Sequence, residues 1–403
     1  STRDWSSDVC SSDLGERGML ARDRSRTRRH LLIVDHGVPQ PDRDGGSRTM
    51  VQFVKTFLDL GWNVKFWPEN LQWDPVYTPA LQQWGVEVVH GAEPAGRFGT
   101  WMKDNGRHFD AVLLSRPQVA EAFIGDVRAH CAGRVLYYGH DVHHLRVAEQ
   151  RRLRPHELQL AAEERRWREL ELRVWSRVDE ICYPSASEAA YVAEHVAREG
   201  WRAQVRHVQA YYFERIAAPA PEPGELERRR DLVFVAGFGH RPNVDAAQWF
   251  CREVLPRLHA EWPDLVLWLV GSNPTPEVLA LAGPKVRVTG YVSDAELAAH
   301  YANARVVVAP MRFGAGVKSK VVEALAHGCP VVTTSIGYQG LAGLAEAVPA
   351  ADTAETFAAS TLQLLCDDAA WLRSRRIGTD FVRSHFSRAS MRRSFDAELR
   401  AAA

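Results

Sequence analysis

From Leu31 onward, short apolar runs rich in β-branched residues alternate with amphipathic stretches, and the alternation starts afresh at Leu232. That pattern dictates parallel sheets covered by helices on both faces, because each parallel strand needs a crossover segment to bring the chain back. A pattern that restarts implies two such sheets. The first set of strands is expected at 31–35, 63–67, 86–90, 110–115, 134–138, 179–183 and 204–208, and the second at 232–236, 265–270, 286–289, 305–309 and 331–334. Between the sets, Ala217-Ala218-Pro219-Ala220-Pro221-Glu222-Pro223-Gly224 has the composition of a linker and is expected to act as the hinge.

The resulting division is an α/β chain of two Rossmann-like domains facing each other across a cleft. Residues 31–215 form the first domain, 216–230 the linker and 231–385 the second domain. Residues 386–403 form a C-terminal helix able to pack back on the first domain. A chain of 403 residues has room for both cores. With 50 basic and 50 acidic side chains, it lacks the charge excess of a dedicated nucleic-acid binder. Charged residues at 25% and the absence of any apolar run of membrane-spanning length describe a soluble protein. Six scattered cysteines without a C-x-x-C pair fit reduced thiols in a cytoplasmic setting. Residues 1–30 stand apart. Ser6-Ser7-Asp8-Val9-Cys10 nearly repeats as Ser11-Ser12-Asp13-Leu14, a basic run follows, and the apolar core of a signal peptide is missing. They read as a disordered or non-native leader.

The densest chemistry lies after the fourth strand of the second set, from Arg312 to Pro330. Gly314 and Gly316 allow close backbone approach to a ligand, and a short helix then ends at Gly328, ahead of Pro330. Lys318 and Lys320 sit at the helix start, where the dipole already provides positive potential. An anion such as a diphosphate would reverse that unfavourable placement. Lys320, Glu323 and His327 share one stripe. Glu323, one turn further in, suits a pair of hydroxyls such as a ribose diol. The alternative is a solvated face carrying a weak Lys320–Glu323 pair.

Other candidates lie just past strands, where open α/β sheets bind ligands. Gly45-Gly46 precedes a helix expected to be capped by Ser47, and lets backbone N–H groups meet ligand oxygens. His140-Asp141 with His143 and His144 follows the fifth strand, ahead of a single long helix expected at 155–178. His140 suits a sugar hydroxyl or a developing charge, and equally a structural role. Gly237-Phe238-Gly239-His240-Arg241-Pro242-Asn243 lacks the third glycine of the dinucleotide fingerprint. Asn243 is expected to cap the following helix, bringing Arg241 to the same sheet end as Lys318. No metal site is expected. Asp42-Arg43-Asp44 fits a polar loop, and the histidines lack matching ligand spacing.

Taken together and in order, these segments resemble family-4 glycosyltransferases of the GT-B fold over about residues 31–399: Val34-Asp35-His36-Gly37-Val38-Pro39 with Gly45-Gly46-Ser47, the strand-end His140-Asp141, Phe234-Val235-Ala236-Gly237 through Asn243, Leu269-Val270-Gly271, and Gly314-Ala315-Gly316-Val317-Lys318 through Glu323-Ala324 to Val332. The resemblance implies transfer of a sugar from a nucleotide diphosphate donor to a glycan or lipid-linked acceptor, with retention, no metal and no cofactor. His140, Arg241 and Lys318 would be catalytic. Gly45, Gly46, Asn243, Gly316, Val317, Lys320 and Glu323 would bind donor. Glu323 matches the second of the family's two glutamates, whereas Ala315 stands where the first would be. The implied setting is cell-surface polysaccharide biosynthesis in the cytoplasm, with peripheral contact at the inner membrane face left open. A sugar-nucleotide epimerase and a non-catalytic nucleotide-sugar-binding protein are the other readings.

Overall fold

In a computed structural model the described residues are 27–314, 316–341, 343–344 and 348–399. Of the leader expected over residues 1–30, residues 1–26 lie outside the described residues, as does the expectation for Ala315, while His30 already begins the first strand.

The first sheet holds β1 (His30–Asp35), β2 (Asn63–Pro68), β3 (Glu87–Val88), β4 (Ala111–Ser115), β5 (Arg134–Tyr138), β6 (Glu180–Tyr183) and β7 (Gln204–His207). They run parallel in the order β3-β2-β1-β4-β5-β6-β7. The second sheet holds β8 (Leu232–Val235), β9 (Leu267–Val270), β10 (Val286–Gly290), β11 (Val306–Ala309) and β12 (Val331–Thr333), in the order β10-β9-β8-β11-β12. Its pairs are also all parallel. The central strands are buried on both faces, as helix-covered parallel sheets require; every residue of β1, β4 and β11 is buried. The strand order reverses between β1 and β4 in one sheet and between β8 and β11 in the other. Those two switch points are where such sheets leave a crevice at their carboxyl ends.

Three local expectations are corrected. The helix Gly45–Asp59 is capped by Asp44, whose carboxylate accepts the Ser47 N–H at 2.8 Å and the Ser47 hydroxyl at 2.7 Å. The long helix expected at 155–178 is instead two helices, His143–Leu153 and Gln159–Trp175. Pro155 disfavours helical geometry at Arg154 and so breaks them apart. The Pro-rich segment is not the crossing point. Ala217 N–H donates to the Ala326 carbonyl at 2.7 Å and Arg375 to the Ala218 carbonyl at 3.1 Å, tying that segment to the second domain. The chain crosses just before it, because Val208 and Tyr212 sit in the first core while Ala210 and Tyr211 sit in the second. Beside that crossing, the Tyr211 and Phe386 rings stack at 5.6 Å and Phe213 N–H donates to the Phe386 carbonyl.

Past Phe386 the last helix, Arg388–Leu399, lies against the first domain. The Phe395 ring meets Phe53 and Phe57 at 4.9 and 4.7 Å, and Arg388 donates to Asp59 at 2.9 Å. Two strands of chain therefore join the domains side by side.

Candidate functional site

Both switch points open onto one cleft of about 840 Å³ between the domains. From the first domain it is lined by the loop after β1, by Arg116 after β4 and by His140 after β5; from the second, by Gly237 after β8 and by Gly316 to Lys320 after β11.

The helix Ser319–Ala326 follows β11 with Lys318 as its N-cap residue and Gly328 just past its end at φ +70°. Its apolar side (Val321, Val322, Ala324, Leu325) is buried; Lys318 and Glu323 are buried, Lys320 is half-buried at the cleft, and Lys320 hydrogen-bonds Asn243 rather than Glu323. Lys318 Nζ donates to the Gly316 carbonyl at 2.6 Å and to Gln339 at 3.3 Å. Lys320 Nζ donates to Asn243 Oδ1 at 2.8 Å. Burial lowers the pKa of both ammoniums, that of Lys320 to about 7 with Lys318 as the second cause. Two cations are thus held beside each other at a helix start, one of them against a neutral amide. Glu188 and Asp141 supply opposing charge to Lys318, whereas an anion from the cleft would favour the charged form of Lys320.

Glu323 faces the same cleft. Its Oε1 accepts from Arg48 Nη1 at 2.6 Å and its Oε2 from the Tyr301 hydroxyl at 3.2 Å. Arg48 belongs to the first domain, on the helix that begins at Gly45, so this ion pair spans the cleft. A carboxylate has about four acceptor positions. Two are used here, leaving capacity for a diol.

On the opposite wall, His140 Nε2 lies 3.0 Å from Ser115 Oγ. Burial, followed by the charge of Arg116, pushes His140 down to about 3, so it is neutral at physiological pH. Arg116 carries φ +70° at the end of β4, a strained position for a side chain other than glycine, and donates to Asp35 at 2.9 Å. A Cβ at Gly46 would stand 2.7 Å from Arg116 Nη2 and 3.4 Å from the His140 ring, so any other residue there would displace that guanidinium. Gly45 borders Ser319 across the cleft. Gly316, at φ +73°, touches the His140 end of the first sheet, where a Cβ would lie 2.9 Å from the His140 carbonyl. Val317 lines the cleft beside it.

The remaining expectations divide. Asn243 does not cap its helix, because the helix Arg241–Trp249 starts earlier, with His240 at the N-cap. Its amide instead bridges the Gly237 carbonyl at 2.8 Å and Lys320. Arg241 is not in the cleft: its side chain is 62% exposed and 3.5 Å from Glu157 of the first domain. As the first residue of its helix, it points outward from the sheet end. The expectation that it joins Lys318 in gripping an anion is therefore wrong. Asp42 accepts from the Tyr77 and Tyr291 hydroxyls, the second from the other domain at 3.1 Å. His143 and His144 are committed to Glu171, at 3.4 and 2.5 Å. Against the cost of burial, Asp141 and Glu171 lift His143 to about 9.

Sequence reasoning missed Arg48, Arg116, Arg146, Tyr301 and Glu188. Arg116 follows a strand directly, which is the one local signal that could have found it. Arg146 Nε binds Asp141 Oδ2 at 2.8 Å on the cleft wall.

Residues 229–367 match the family described as Glycosyl transferases group 1. A protein of Klebsiella pneumoniae, "Uncharacterized 44.6 kDa protein in cps region", is 32% identical over 117 residues; the match spans 27% of this chain and 30% of that protein's length. Among solved structures, sucrose-phosphate synthase from Thermosynechococcus elongatus superposes with TM-score 0.66 at 16% identity, covering 93% of this chain and 99% of that one. Anabaena Alr3699/HepE in complex with UDP gives TM-score 0.62 at 14% identity, covering 93% and 100%. The α,α-trehalose 6-phosphate synthase of Burkholderia multivorans gives 0.62 at 13%, covering 93% and 96%. At these identities the likeness is one of fold. That fold is GT-B.

Proposed function

We propose, from the match of residues 229–367 to glycosyl transferases group 1, that the protein is a glycosyltransferase moving a sugar from a nucleotide diphosphate donor to a glycan or lipid-linked acceptor. One observation carries this reading: Lys318, Lys320 and Glu323, from one helix start, meet Gly45, Gly46 and His140 of the other domain around a single cleft. Lys318 and Lys320 take the diphosphate, and Glu323 the ribose diol. The sugar then lies toward His140, which is neutral and can share a hydrogen bond without repelling an oxocarbenium-like centre.

In the transition state the sugar–phosphate bond breaks and negative charge grows on the departing diphosphate. Buried cations fixed beside that charge stabilise it more than water does. In this reading Lys318 and Lys320 stabilise the departing diphosphate without Arg241, and the transfer proceeds with retention and without a metal ion. Complexes of HepE with UDP, with UDP and glucose and with UDP-glucose make uridine diphosphate sugars the first donors to try. The K. pneumoniae relative's cps region supports a setting in surface polysaccharide synthesis.

An epimerase would need a free carboxylate at the sugar. Against the cost of burial, the His36 hydrogen bond and Arg116 keep Asp35 ionised, and His143 and Arg146 hold Asp141 well below the usual range. Both carboxylates at the strand ends are thereby committed to neighbouring cations, which favours transfer over proton exchange. Incubation with a panel of nucleotide sugars, with and without glycan and lipid-linked acceptors, tests the proposal. Release of nucleoside diphosphate that depends on acceptor is expected. Epimerised donor, or binding without release, would overturn it. The anomeric configuration of the product, read by NMR, tests retention.

A further inference from the structure

The helix Ala186–Arg198 begins with Ser185-Ala186-Ser187-Glu188, the spacing of a reciprocal cap in which the glutamate turns back to the N-cap N–H. Only half of that cap forms. Ser185 accepts the Glu188 N–H, but the Glu188 carboxylate reaches forward instead. Its Oε1 accepts two backbone N–H groups at 3.0 Å, from Val142 in the first domain and from Gly316 in the second. Its Oε2 is buried without a hydrogen-bond partner. The far side of Gly316 is engaged as well, since its carbonyl receives the Lys318 ammonium at 2.6 Å.

A buried carboxylate that gives up its local cap, and leaves one oxygen unsatisfied, costs stability. What that arrangement achieves is a fixed position for Gly316, held at its N–H by one domain and at its carbonyl by Lys318. We propose that Glu188 is a positioning residue for the donor site: by accepting the Gly316 N–H it seats the segment 316–318 against the first domain and thereby aims Lys318 at the donor diphosphate. The donor site is complete only when the two domains are in contact. This inference rests on the nucleotide-sugar reading of the cleft.

The test compares Glu188→Ala, Glu188→Asp and Glu188→Gln with the unaltered protein, using whichever of UDP, GDP and ADP it binds. Removing a hydrogen bond to a charged acceptor predicts a roughly tenfold or greater rise in the nucleoside diphosphate Kd for Glu188→Ala, together with a fall in kcat on the matching donor sugar. Glu188→Asp, one methylene short of both N–H groups, should behave alike. Glu188→Gln keeps a carbonyl oxygen for both N–H groups but removes the negative charge facing Lys318, so it should recover most of the affinity lost in Glu188→Ala without fully matching the unaltered protein. A lowered Tm with unchanged Kd and kcat in Glu188→Ala or Glu188→Asp would overturn the proposal. So would a Glu188→Gln variant as impaired as Glu188→Ala. If the unaltered protein binds none of the three nucleotides, the reading of the cleft has failed instead.

Discussion

Donor binding should take up protons, and affinity should fall as the pH is raised from 7 to 9. Burial, with Lys318 beside it, pushes Lys320 down to about 7 in the free protein, although the residue as a whole retains some exposure to the cleft. Its hydrogen-bond partner Asn243 is neutral and does not hold the charge. At pH 8, roughly nine-tenths of Lys320 is then uncharged. A diphosphate beside the ammonium favours the charged form and raises its pKa. A proton is therefore bound with the donor at any pH between the free and bound values, so affinity is lost as pH rises through that window. Lys320 alone supplies about one proton above pH 8 and about a fiftyfold loss of affinity from pH 7 to 9. Lys318, also lowered by burial, adds to the loss in the same direction. Glu188, raised by burial and then by Asp141 to about 7, titrates in the same window, and because a nearby diphosphate favours its protonated form, its proton uptake runs in the same direction. The assay is calorimetry with an intact nucleotide sugar, whose diphosphate does not titrate there, in two buffers of different ionisation enthalpy. Lys320→Met should remove most of the buffer dependence. Equal heats in both buffers, with a constant Kd from pH 7 to 9, would refute the reasoning.

Three further outcomes are expected. Glu323→Ala should raise the nucleoside diphosphate Kd by about tenfold or more while leaving Arg48 unpaired at the cleft wall, measurable by titration. Gly46→Ala displaces the Arg116 guanidinium, because the new Cβ would lie 2.7 Å from it, and should lower turnover roughly ten- to a hundredfold with little change in Tm. Phe395→Ala opens a cavity between Phe53 and Phe57 and should cost about 3 kcal/mol in denaturant unfolding, releasing the last helix from the first domain.

The sheets were legible because parallel strands buried on both faces read as continuous apolar runs, and turns between them are punctuated by glycine and proline. Strand ends shifted by no more than two residues, enough at β3 to leave only Glu87–Val88. Caps were less legible. Asp44 and Ser47 are both good N-cap residues, and only the backbone geometry decides between them. Lys320 and Glu323 reach the cleft from one stripe of the helix, and Lys318 reaches it from the N-cap position. Arg241 begins a different helix and has its side chain largely exposed outside the cleft, a side-chain direction invisible in strand spacing. Arg48 and Glu188 were missed for another reason. Each acts across the gap between domains, on partners 275 and 128 residues away, and no local pattern encodes such a pair. Glu188 was further disguised as an ordinary helix cap.

The most direct measurement is a crystal structure of the protein with a bound nucleoside diphosphate. The phosphates should lie within hydrogen-bond distance of the Lys318 and Lys320 ammoniums, with the ribose hydroxyls on Glu323. Phosphates seated elsewhere, or a nucleoside turned away from Glu323, would contradict the account.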